Sequence, residues 1–271
     1  MTVSSPTPVG IPHEFKNHQL IRGPFASHSP AAGWPEQDEI GTIRLKQEYT
    51  LIFVVDRVKN KVLLGFKRRG MGVDLYNGFG GKVEKGESIH RCAARELEEE
   101  SGLVPENEGL YYKGCLFSSR PQSLSVDSKS SVITIHFFAC VSWSGEPIMT
   151  EEMIPQWFDV PAEDIVDKEN PLPIDQMWPE ATFYLLPVLR SILDDHRGDL
   201  FLSRINYEYM CLADAPTSLP ALDGMTIRQY VTSSIAHEDK KHDFGECLSS
   251  WWMCFGSDKS LGPIRNEYGT V

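Results

Sequence analysis

The stretch YTLIFVVD, residues 49–56, is apolar and β-branched almost without interruption, and KVLLGFKRR, 61–69, follows it across a polar turn at Lys59 and Asn60. Runs of this length bounded by turn residues predict two strands. Further strands are expected in YYKGCLFSS (111–119), SSVITIHFFACVSW (130–143), PQWFDV (155–160) and DLFLSRINYEY (199–209). Helical patterning is strongest over 88–101, where Ser88 can cap the start and Gly102 can end the helix, and again over 182–196, where Pro187 limits it. Strands mixed with two well-separated helices predict a layered α/β domain over residues 47–210.

Outside that span the patterning fades. Residues 1–46 hold Pro6, Pro8, Pro12, Pro24, Pro30 and Pro35 with little periodicity, as expected of an irregular arm. Residues 211–271 form a C-terminal extension without an assigned role. It opens on the linker DAPTSLP, and a helix is expected in MTIRQYVTSSIA (225–236) ahead of the apolar WWMCF (251–255). There are no internal repeats.

The composition of the 271 residues, 41% hydrophobic and 24% charged, is that of a soluble globular protein. A formal net charge of −12 argues against stable nucleic-acid binding and against an anionic membrane surface, while leaving open a small anion held through a metal ion. No run reaches the roughly 18 apolar residues of a membrane span and no secretory signal opens the chain, so a cytoplasmic address is expected. The cysteines at 92, 115, 140, 211, 247 and 254 lack paired metal spacing and are expected as packing thiols. A zinc site from Cys247, Cys254 and His242 is disfavoured because close CxxC spacing is missing.

The helix at 88–101 carries the candidate chemistry. With Glu96 at zero on a wheel of 100° per residue, Glu99 falls at about 300° and Glu100 at about 40°, alongside Ile89, Cys92 and Ala93. Arg91, Arg95 and Glu98 fall on the far side. An apolar stripe therefore turns into an acidic stripe in the last turn, where the macrodipole disfavours acids. Three carboxylates packed i, i+3 and i+4 repel one another unless a cation compensates, and oxygen-only ligation suits Mg²⁺ or Mn²⁺. The plainer alternative is a charged helix end with Arg95 paired to Glu99. NGFGG just upstream lets backbone approach a ligand, and Lys67, Arg68, Arg69 and Lys82 can meet phosphate oxygens.

The pattern of Gly81, five residues, Glu87, seven residues, then Arg95-Glu96-Leu97-x-Glu99-Glu100-x-Gly102-Leu103 resembles the Nudix box. YNGFGGKVEKGES, EEMIPQWFDV and QMWPE resemble the MutT-like oxidised purine nucleoside triphosphatase branch of that family. The resemblance implies an α/β/α sandwich around a mixed sheet. It implies Mg²⁺, with Mn²⁺ as an alternative, on the Gly81 carbonyl, Glu96, Glu99, Glu100 and Glu152, and Arg95 orienting the glutamates. It implies a nucleotide site at Thr50, Lys67, Asn77, Phe79, Gly80, Gly81, Lys82, Trp178, Pro179, Glu180 and Ala181.

The branch carries two adjacent acids after Trp-Pro; here Glu180 is followed by Ala181. The implied activity is metal-dependent hydrolysis of oxidised purine nucleoside triphosphates, such as 8-oxo-dGTP or 2-hydroxy-dATP, to monophosphate and pyrophosphate. That activity cleanses the nucleotide pool and averts DNA damage. Glu180-Ala181 leads us to expect weaker discrimination between oxidised and normal bases. The alternatives are a Nudix hydrolase for an RNA cap, ADP-ribose or a dinucleoside polyphosphate, and a non-catalytic nucleotide-binding module of the same fold with tails that contact a protein partner.

Overall fold

Five successive side chains in the strand Gln47–Asp56, from Leu51 to Val55, are buried. A strand buries both parities only when each face of its sheet is covered. The computed structural model describes residues 20–22, 47–120, 131–162, 171–178, 180–211, 231–232 and 244–257. In chain order the elements are β1 (Leu20–Arg22), β2 (Gln47–Asp56), β3 (Lys61–Lys67), β4 (Tyr76–Asn77), α1 (Ile89–Ser101), β5 (Val104–Pro105), β6 (Leu110–Arg120) and β7 (Ser131–Cys140). They continue with β8 (Trp143–Ser144), β9 (Met153–Asp159), a 3-10 turn at Ile174–Gln176, α2 (Ala181–Leu193), β10 (Asp199–Cys211), β11 (Val231–Thr232) and β12 (Phe244–Ser257).

Among the described residues ten strands form one sheet in the order β1-β12-β10-β6-β7-β2-β3-β4, with β9 on β3 and β11 on β12. The β2–β7 and β6–β10 pairs are parallel, whereas β3 pairs antiparallel with β2, β4 and β9, so the sheet is mixed. Ile52 and Val54 point to one face and pack with Ala93 and Leu97 of α1, Phe79 and Phe138. Leu51, Phe53 and Val55 point to the other and pack with Phe183, Leu185, Val188 and Leu189 of α2. One helix on each face of a mixed sheet is the α/β/α sandwich expected above. Among the described residues no helix is long and apolar enough to cross a membrane.

Three expectations need correction. α2 ends at Leu193, short of His196, and carries Pro187 inside. Proline cannot donate to the carbonyl one turn earlier, but buried Phe183, Tyr184, Val188, Leu189 and Ile192 on either side of it hold the helix against the sheet. The helix expected over 225–236 is overturned at Val231–Thr232, which pair as β11 with Cys247 and Glu246 of β12. WWMCF lies in β12, paired to β10 along its length, and Met253 is fully buried in the α2-side cluster. Within the N-terminal arm, Leu20–Arg22 is a strand on β12.

Residues 77–83 are wedged between β2 and β3. β4 pairs with Gly65 and Phe66 of β3. Beyond it Phe79 exchanges backbone hydrogen bonds with Ile52 (2.6 and 3.0 Å), the Gly81 carbonyl accepts from Thr50 N (2.9 Å) and the Glu48 carbonyl accepts from Val83 N (2.9 Å). The glycine-rich run is thus threaded into the sheet directly beside α1.

Candidate active site

α1 begins where Ser88 Oγ accepts from Arg91 N (3.3 Å) and ends at left-handed Gly102, whose N–H donates to Glu98 O (2.8 Å). Cys92, Ala93 and Leu97 seat it on the sheet, which turns Glu96, Glu99 and Glu100 toward the threaded loop and Glu98 to solvent. The three glutamates line a cleft of about 630 Å³ with Lys67, Arg69, Lys82, Glu151 and Glu152. The wheel's common face is therefore real, although its depth is graded. The Glu100 side chain is 2% exposed, Glu96 15% and Glu99 58%.

Each carboxylate has a basic or backbone partner. Glu100 accepts from Lys67 Nζ (2.8 Å) and from Gly80 N (2.7 Å). Arg95 is a clamp: Nε and Nη2 donate to the two oxygens of Glu87 (3.0 Å each), while Nη1 donates to Glu96 (2.8 Å) and Glu99 (3.0 Å). The Arg95–Glu99 pair of the plainer alternative therefore coexists with the shared acidic face. Glu87 also accepts from Glu84 N (3.2 Å), tying the loop ahead of the helix. Burial pushes the carboxyls of Glu96 and Glu100 above the ordinary range, opposed by Arg95 and Lys67 respectively. The Arg95 guanidinium holds Glu87 below that range.

Among the described residues no three acidic, imidazole or thiol side chains enclose an ion as they stand. The donor set nonetheless fits a hard divalent cation, being all oxygen and partly desolvated. Gly81 adds a second sign of fit, because a Cβ there would collide with the Glu96 carboxylate where it stands, and the glycine leaves that group room beside the loop.

Beside the cleft, on the α2 face of the sheet, lies a second cavity of about 350 Å³. Of the nucleotide-site residues expected from sequence, it is lined by Thr50, Lys67, Asn77, Gly80, Gly81, Trp178 and Glu180. The Trp178 indole lies over Gly72, where a Cβ would stand 3.1 Å from Nε1. Asn77 Oδ1 accepts from Gly78 N (3.0 Å). Glu180 is buried.

Three expected residues stand elsewhere. Lys82 lines the acidic cleft but not this cavity. Phe79 is fully buried on the α1 side of the sheet, lines neither cavity, and exchanges its backbone hydrogen bonds with Ile52. Ala181 is buried in the α2-side core and does not line the cavity. Pro179 lies outside the described residues.

Sequence reasoning missed the cavity floor of Leu116, Ile133, Ile135 and Phe137, and its wall at Tyr184. The alternation in SVITIHFF carried the signal, since residues 133, 135 and 137 share one face. Lys67, Arg69, Gly80, Gly81 and Glu152 line both cavities and mark their junction.

An α/β/α sandwich with a glutamate-lined cleft that shares its edge with a second cavity of about 350 Å³ defines a class of protein. Residues 45–180, half of the chain, match the NUDIX domain, and the chain belongs to that family as a Nudix hydrolase. It is 39% identical over 142 residues to the oxidized purine nucleoside triphosphate hydrolase of Danio rerio, covering 52% of this chain and 79% of that one. It is 35% identical over 143 residues to the protein of the same name from Mus musculus, covering 53% and 80%. Among solved structures, the MutT protein from Bacillus halodurans aligns with a TM-score of 0.43 at 24% identity, over 59% of this chain and 90% of that one.

Proposed function

We propose that this chain hydrolyses purine nucleoside triphosphates, oxidised ones among them, to the monophosphate and pyrophosphate, and so cleanses the nucleotide pool. One observation carries the reading: a cavity of purine size and a carboxylate cleft meet at Lys67, Arg69, Gly80, Gly81 and Glu152, so one nucleotide can place its base in the first and its phosphates in the second. The names borne by the relatives from Danio rerio and Mus musculus support it.

The Gly81 carbonyl, Glu96, Glu99, Glu100 and Glu152 would hold Mg²⁺ or Mn²⁺, which supplies charge neutralisation at the phosphates and eases deprotonation of water. Arg95 fixes Glu96 and Glu99 so that neither needs reorientation during the reaction. One glutamate of the cleft takes the proton of the attacking water as general base. Lys67 and Lys82 meet phosphate oxygens, while Trp178 offers a stacking face to the base and Asn77 and Glu180 offer polar atoms to its edge.

Of the two positions after Trp178-Pro179 only Glu180 lines the cavity, so a single carboxylate meets the base edge and selection between oxidised and normal purines is weak. The test is pyrophosphate release from 8-oxo-dGTP, 2-hydroxy-dATP, dGTP and dATP, with ADP-ribose and a dinucleoside polyphosphate alongside, in wild type and Glu180→Gln. The expected result is turnover of all four triphosphates, with a preference for oxidised bases well below about a thousandfold that Glu180→Gln lowers further. Faster turnover of ADP-ribose, or no turnover of any triphosphate, would overturn the proposal.

A further inference from the structure

Arg69 stands apart from the other cations of the cleft. It follows β3 and lines both cavities. Its Nε and Nη2 donate to Glu152 Oε1 (3.1 and 2.5 Å), and Nη1 donates to Glu151 Oε2 (3.4 Å). Lys67 also lies at the junction, 3.8 Å from Glu152, but its short bond (2.8 Å) is to buried Glu100, so it meets a phosphate from where it stands rather than by exchanging partners. Arg69 is 58% exposed, and its partners Glu151 and Glu152 are 87% and 39% exposed. Ion pairs of that kind contribute little and exchange readily.

The loop that carries Glu152 does not depend on Arg69. Arg68 N donates to Glu152 O (2.7 Å), Arg68 Nη1 donates to Thr150 O (3.1 Å), and Thr150 Oγ1 accepts from Glu152 N (3.3 Å) and Met153 N (3.0 Å). The guanidinium can therefore leave Glu152 without releasing the backbone beneath it. A planar guanidinium matches phosphate oxygens in a paired geometry that an ammonium does not.

We propose that Arg69 is an exchangeable counter-ion: in the nucleotide-free enzyme it occupies Glu151 and Glu152, and when a triphosphate and its divalent ion arrive it turns to the phosphates and frees Glu152 as an oxygen ligand. This rests on the reading that a triphosphate lies across the junction. Arg69 then couples phosphate recognition to completion of the ion site, and it disfavours metal loading in the absence of substrate.

The experiment compares wild type, Arg69→Gln and Arg69→Lys by Mn²⁺ titration of the nucleotide-free protein, followed by electron paramagnetic resonance, and by steady-state hydrolysis of 8-oxo-dGTP. Arg69→Gln should bind Mn²⁺ about two- to fivefold more tightly, because a competing cation has gone. It should also raise KM about tenfold with kcat within about twofold, and Arg69→Lys should recover part of the KM loss. Affinity for the nucleoside 8-oxo-deoxyguanosine should not change.

Unchanged or weaker Mn²⁺ binding in Arg69→Gln, or an unchanged KM, overturns the role given to Arg69. If wild type itself neither binds Mn²⁺ nor hydrolyses a triphosphate, the functional reading fails and takes this one with it. If wild type does both and Arg69→Gln behaves identically, this one fails alone.

Discussion

Glu99 and Glu100 are neighbours on one helical turn, yet the first is largely exposed and the second is buried against Lys67 and Gly80. Turnover should fall roughly 10²-fold or more in either Glu99→Gln or Glu100→Gln, since each is proposed to hold the ion. Stability should separate them. Urea unfolding should show Glu99→Gln within about 0.5 kcal/mol of wild type, and Glu100→Gln lower by about 2 kcal/mol because Lys67 loses its buried counter-charge. Full activity in both variants would remove the metal mechanism.

Lys113, which lines neither cavity, makes a different case. It is fully buried, its Nζ donates to the carbonyls of His196 (2.6 Å) and Asp199 (2.8 Å), and burial pulls its ammonium down to about 8. Below pH 8 both folded and unfolded chains carry this proton, and the cost of burying the charge is felt in full. From there to the ordinary lysine value of about 10.4 the unfolded chain holds the proton more firmly, so this residue makes stability rise with pH. Measured as wild type minus Lys113→Met, the rise should be on the order of 2 kcal/mol between pH 7.5 and 10.5, and a flat difference would contradict the burial argument.

The facing of Glu96, Glu99 and Glu100 was legible in the sequence because helical angle is a local property. Leu116, Ile133, Ile135 and Tyr184 were not, because which strand parity faces α2 depends on pairings distant in the chain. Phe79 shows the same limit in reverse: its motif points to substrate, but its parity sends the ring to the core.

Elements bounded by their own caps were the readable ones. α1 starts at Ser88 and stops at Gly102 as its sequence announces, and β2, β3, β6 and β10 fall within two residues of the apolar runs that mark them. α2 was legible from its apolar spacing, whereas the packing that carries it through Pro187 is not written locally. Pro187 is half-buried in the seventh position of this helix. Pro187→Ala should therefore restore a helical donor and stabilise the fold by about 1–2 kcal/mol, after allowing for the proline's restriction of the unfolded chain. A denaturation midpoint that falls instead would mean that the ring packs better than its geometry suggests. β12 was unreadable as a strand of the main sheet, since its partner β10 lies beyond a long intervening segment and nothing local specifies the pairing.

At the scale of the molecule, the sheet does not end with the family match at residue 180. β10 runs from Asp199 to Cys211 with β12 along its whole length. We propose that residues 211–271 act as a structural extension of the hydrolase domain through β12. A chain ending at Cys211 should lose its cooperative transition or melt at least about 10 °C lower, because β10 becomes a bare edge and the cover over Ser203 and Phe201 is lost. Removing residues 1–40 should leave turnover within about twofold, since among the described residues none from 1–46 lines either cavity. The central claim is that one nucleotide spans both cavities, with its base held against Trp178 and its phosphates cut in the glutamate cleft. Steady-state kinetics of Trp178→Ala on 8-oxo-dGTP tests it most directly. The account predicts a KM raised at least about tenfold with kcat within a few-fold of wild type, and an unchanged KM would contradict it.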